Sequence, residues 1–135
     1  MNPLDLMNAV RFFTAALADL RAASVMAEGA APHAALVCFH CRLAALQMLK
    51  GLLAFHGSSA PQTQSVQALL ELPALHAALG QAAPEGLLEL DQYGDELYLS
   101  GALRVAPGEM RRSVEAVTAL KERLAGMGYP LPTEG

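Results

Sequence analysis

The 135 residues are 53% apolar and 16% charged, with a net charge of −4, no tryptophan and two cysteines. That length makes one domain able to bury its own core. The acid excess excludes non-specific nucleic-acid coating, which needs a broadly basic face, but leaves room for one local basic cleft. Two cysteines three positions apart exclude a disulfide framework.

Alanine and leucine dominate, and both enter helices at little cost in side-chain freedom. The N-terminal MNPLDLMNAV lacks the basic-then-apolar order of a signal peptide. Asn2 followed by Pro3 predicts a helix start, a capping side chain and then a residue with no N–H to satisfy. Leu6, Val10, Phe13, Leu17 and Leu20 repeat at three and four as its inward stripe, and Gly29 and Pro32 end it. A second helix is predicted from about Pro32 to His56, stopped by Gly57. It is apolar nearly all round, as expected of a helix contacted on more than one side. It nears membrane length but carries Arg42 and Lys50, so spanning is costly and a cytoplasmic protein without membrane contact is expected.

GSSAPQT reads as a loop, with Thr63 capping a short helix through Val66, Leu69 and Leu70. Pro73 breaks that helix, and PALHAALGQAAP reads as a turn-rich connection. From Pro84 a further helix would place Leu87, Leu90, Gly94 and Leu97 on one face, Gly94 allowing close backbone approach. SGALRVAPGE interrupts it. A last helix from about Gly108 turns Met110, Val114, Val117, Leu120 and Leu124 inward, and YPLPTEG is expected to be a loose tail. The sum is an all-α protein, an up-and-down four-helix bundle with an additional short helix, in one domain over 1–128 with a tail at 129–135.

The Cys-x-x-Cys of VCFHCRLAALQMLKG lies in mid-helix. Structural zinc wants four converging ligands, and this chain has one such pair. His40 lies about 200° around the helix from Cys38, so both cannot hold one ion. A redox pair would sit at a helix start, where the dipole lowers the thiol pKa. We read the cysteines as buried small apolar residues, with no metal and no cofactor expected and a zinc-binding bundle as the rival. His33, His56 and His76 fall at helix ends or a connection and read as caps or exposed side chains. No acidic residue occurs between Glu28 and Glu71, so Arg42 and Lys50 either find distant partners or an anion, or reach solvent along their stems.

In order, FHCRLAALQMLKGLLAFHG, SAPQTQSVQALLEL and LDQYGDELYLSGALRVAP, followed by an amphipathic helix, resemble the HEPN domain across roughly residues 5 to 125. The resemblance implies a helical bundle that dimerises around a polar cleft. Family members include metal-independent ribonucleases of toxin–antitoxin and defence systems, and others paired with a minimal nucleotidyltransferase. Nucleolytic members use an arginine and, after four to six residues, a histidine. The arginine would hold the scissile phosphate and the histidine would move a proton.

Here the arginine matches Arg104, while the histidine positions are Glu109, Met110 and Arg111. The family's loop histidine is Gln64, and Val105 stands where tyrosine is usual. No catalytic residue is therefore assigned. The expectation is a non-nucleolytic homodimer that binds nucleotide or RNA through Arg104, with Lys50, Arg111 and Arg112 as further candidates, beside a minimal nucleotidyltransferase. The alternatives are a ribonuclease toxin with a rearranged site and a helical interaction module without ligand. Arg104 has a purely structural alternative too, a pair with Asp95 or Glu96.

Overall fold

A computed structural model describes residues 1–29, 32–94, 101 and 104–133. Every regular element among them is helical, as the composition predicts. Helix α1 (Pro3–Ala27) starts as expected: the Asn2 side chain accepts from the Leu4 N–H at 2.9 Å, and Pro3 takes the first helical position. Helix α2 (Ala34–Phe55) is capped by His33, whose Nδ1 accepts from the Leu36 N–H at 3.1 Å. The two run antiparallel, since Phe13 meets Gly51 near one end and Asp19 meets His40 near the other.

The inward stripe of α1 differs from the predicted one. Leu6 is exposed and Val10 half-buried, while Ala9, Ala16 and Ala23 are buried beside Phe13, Leu17 and Leu20. Small side chains let the α1 backbone approach α2 closely. At the tightest point a Cβ on Gly51 would stand 2.7 Å from the Phe13 ring. The expectation of a many-sided contact is met on α2, which packs against α1, two short helices and the last helix. It is long and apolar enough to cross a membrane by composition, but 67% of that stretch is buried inside the protein, as in a core helix.

The middle of the chain is more finely divided than predicted. Helix α3 (Val66–Leu70) is capped by Ser65, whose hydroxyl accepts from the Ala68 N–H; Thr63 instead accepts from the Ser65 N–H and shapes the approach. Pro73 does not merely stop a helix but opens one, α4 (Pro73–Leu79), which buries Leu75 and Leu79 one turn apart. A 3-10 turn (Gly80–Ala82) follows.

Where a long helix from Pro84 was expected, Glu85–Leu87 form a turn and Leu88–Gln92 a 3-10 segment. Leu90 within that segment and its flanking residues Leu87 and Tyr93 are buried, and their spacing of three is the 3-10 repeat rather than the α-helical one. The continuation through Leu97, like the suggested Arg104 partners Asp95 and Glu96, lies outside the described residues. Close approach at Gly94 is not found: among the described residues nothing lies within 4 Å of a Cβ placed there.

Helix α5 (Pro107–Gly126) buries Met110, Val117, Leu120 and Leu124 as predicted, but Val114 is only half-buried, and Ser113 and Ala116 take the inward places beside it. It runs parallel to α2, because Ser113 meets Cys38 and the chain beyond α5 meets His56. The segment expected to be loose is tied down at its start. Tyr129 packs edge-on against Phe55, its hydroxyl 2.8 Å from His56 Nε2, and its N–H donates to the Leu124 carbonyl.

Candidate functional site

The expected phosphate-binding arginine lies just ahead of α5. Ala106 holds the N-cap position, where it has no side chain to cap the helix, and Pro107 opens it. The positive end of the helix dipole is therefore presented at this edge. Arg104 is exposed there, and its Nη1 donates to the Gly101 carbonyl at 2.7 Å.

Among the three positions matching the family's histidine, Met110 is buried and Arg111 exposed. Glu109 lies between these extremes, half-buried in the first turn of α5, and its Oε2 accepts a hydrogen bond from the Tyr93 hydroxyl at 3.0 Å. Burial, with Cys38 and Glu109 nearby, holds the Tyr93 pKa far above its ordinary value, so the phenol stays protonated and donates.

Beneath this pair a buried polar chain runs inward. Cys38 Sγ donates to Ser113 Oγ at 3.4 Å, and that hydroxyl donates to the Glu109 carbonyl at 3.0 Å. Burial raises the Cys38 pKa despite its hydrogen bonds, and burial together with Cys38 pushes Cys41 up to about 12. Both side chains are enclosed and both stay thiols at neutral pH. A thiol is neither nucleophile nor metal ligand in the way a thiolate is. The cysteines act as small core residues, as the sequence suggested, and one of them carries a hydrogen bond as well.

The four candidate cations do not form one cluster. Arg104, Arg111 and Arg112 belong to the start of α5 or the turn before it. Lys50 is half-buried on α2, about 18 Å along the helix axis from Cys38 at 1.5 Å per residue. Within one chain it does not reach the α5 edge. Arg111 and Arg112 also diverge by about 100°. Arg111 borders a groove between α1 and α5, and Arg112 a second groove with Glu85, Glu89 and Arg123. Arg42 does not reach solvent: it is 5% exposed, and its Nη2 donates to the Gln64 carbonyl.

Asp91 is a structural anchor that the sequence reading passed over. Its carboxylate accepts from the Val66 N–H at 2.7 Å, the Gln67 N–H at 3.0 Å and the Ser65 hydroxyl at 3.1 Å. It thereby closes the N-terminus of α3 and fastens the 3-10 segment to it. Arg42 and Asp91 together fix Gln64–Gln67, the loop where the family carries its histidine. The available signal was an aspartate between buried Leu90 and Tyr93, but a carboxylate that caps a helix 25 positions away leaves no local pattern.

The histidines fall at helix ends, on the α1–α2 seam and on α4. His33 caps α2, and His40 Nδ1 lies 3.0 Å from Asp19 Oδ1 across the α1–α2 seam. His56 contacts Tyr129, and His76 is exposed on α4. Among the described residues no three His, Cys, Asp or Glu side chains converge as a metal site would require.

The family model of the HEPN domain matches residues 9–123. The chain therefore belongs to the HEPN family, a helical class whose function is related to nucleotides and RNA. No curated protein and no solved structure matches it.

Proposed function

We propose that this HEPN domain binds a nucleotide or an RNA segment by its phosphate at the start of α5, without cutting it. Arg104 supplies a guanidinium suited to phosphate, and the N-terminal dipole of α5 adds to the attraction. Arg111 and Arg112 extend the positive edge. Lys50 would reach the same ligand only from a second copy.

The observation that carries the non-nucleolytic part is at Glu109. Where a nucleolytic member has a histidine able to deliver a proton, this chain holds a carboxylate already accepting from Tyr93 at 3.0 Å. A carboxylate is a weak stand-in for a cationic general acid at neutral pH.

The same reading includes a homodimer and a minimal nucleotidyltransferase as partners in the cytoplasm. Support for a second copy comes from the first turns of α1, where Leu4 and Met7 lie one turn apart and are each 59% exposed. Such a patch suits a symmetric contact.

The test is incubation of pure protein with total RNA beside nucleotide titration, using wild type and Arg104→Ala. The expected result is no Arg104-dependent cleavage, and a loss of about tenfold in affinity in the variant, the worth of one charge-assisted hydrogen bond. Cleavage products that vanish with Arg104→Ala would overturn the non-nucleolytic reading. Absence of binding to any nucleotide or RNA, with or without the nucleotidyltransferase, would overturn the binding reading.

A further inference from the structure

The groove bordered by Arg111 has the composition of a nucleobase slot. It lies between the end of α1 and the start of α5, with a volume of about 470 Å³. Small-molecule sites commonly span about 300–1,000 Å³. Ala27, Pro32, Met110 and Val114 give it apolar walls, and methionine is suited to lie against a flat polarisable ring. Three charged side chains stand in that lining: Glu28 at the end of α1, and Arg111 and Glu115 one turn apart on α5. Among the described residues none of the three is held in an ion pair.

We infer that this slot selects guanine, holding the base between its apolar walls with the carboxylate of Glu28 or Glu115 on the Watson–Crick edge and Arg111 on the phosphate. The inference rests on the nucleotide-binding reading above and names its base. A carboxylate offers two acceptor oxygens and no donor. Guanine places N1–H and N2–H₂ side by side, so both oxygens are matched at once. Adenine and cytosine pair their amino group with an acceptor nitrogen, and uracil flanks its single N–H with two carbonyls. Each of these leaves a carboxylate oxygen facing a lone pair. One well-made bidentate contact discriminates between bases by roughly tenfold or more.

The probes are GMP, AMP, CMP and UMP, together with short single-stranded RNAs that contain or lack guanine. Their titration is followed by calorimetry on the intact chain. GMP is expected to bind at least about tenfold more tightly than UMP. Combining Glu28→Gln with Glu115→Gln should erase that preference while retaining residual binding through Arg104. Ala27→Trp should block the slot; Val114→Trp, entering from the opposite wall, serves as a second blocking variant, each checked for helicity.

A guanine-containing RNA that binds while GMP does not places the same base chemistry in a strand, and guanine-selective GMP binding places it in free nucleotide. Equal affinity for all four nucleotides, unchanged by either blocking variant, overturns the guanine slot and leaves the Arg104 reading standing. Failure of every probe to bind overturns both.

Discussion

The α1–α2 hairpin and the start of α5 are built on opposite principles. Along the hairpin, alanines and Gly51 bring two long helices together, Phe13 fills the space beside Gly51, and the half-buried pair of His40 and Asp19 makes a polar crossing. At the start of α5, buried polar groups are linked in series from Cys38 through Ser113 to the Glu109 backbone, with Tyr93 on the Glu109 carboxylate. The first region is intolerant of volume. The second tolerates surface change and carries the charges a ligand would meet. With the proposed ligand site at the start of α5, stability and recognition should respond to different mutations.

Phe13→Ala tests the hairpin most severely. The ring is fully buried, so its removal should cost about 3–5 kcal/mol in urea unfolding. A loss below 1 kcal/mol would mean that the seam collapses around the gap. Gly51→Ala probes the same contact from the other side. Its new methyl would meet ring atoms at 2.7 and 2.8 Å, and overpacking should cost about 1–3 kcal/mol despite the better helix propensity of alanine.

Asp91→Ala acts between the two regions, removing three hydrogen bonds at the start of α3. A destabilisation of about 1–3 kcal/mol is expected, with hydrogen exchange rising first at Val66 and Gln67.

Alkaline pH separates the buried thiols from the rest. Cys41 is raised from 9.0 to about 12 on folding, so the folded chain keeps a proton that the unfolded chain releases. Its contribution is fully present below pH 9 and is lost as pH rises toward 12, with a slope of up to about 1.4 kcal/mol per pH unit. Cys41→Ala should flatten that limb, and an unchanged slope would show that other groups control it.

At the ligand edge, Arg104→Ala should leave stability within about 0.5 kcal/mol while reducing nucleotide affinity. A large loss of stability there would make Arg104 a strut, and the contrast between the two regions would fail.

Much of the bundle was legible because local rules and tertiary packing agree in its long helices. Asn2 and Pro3 announce α1, the all-round apolar character of α2 announces its central place, and Met110 to Leu124 repeat as α5 requires. The reading failed where the two disagree. Leu87 and Leu90 fit an α-helical stripe equally well, but the buried set continues to Tyr93 at a spacing of three, while Asp91 must reach α3. Pro73 reads as a stop and serves as a start as well, since the same missing N–H suits either role. For the site, the resemblance nominated Arg104, with no histidine four to six residues beyond it. It was silent on Tyr93 holding Glu109, and it grouped Lys50 with arginines three helical turns away.

By itself, the sequence determined the helical class, the family and the buried state of the thiols, all of which depend on residue type and on spacings within one segment. Only the tertiary structure decided which stripe of α1 faces inward, what Asp91 and Arg42 hold, and which charges share a groove. Those are contacts between segments distant in the chain, set by how closely backbones approach and by the need of every buried polar group for a partner.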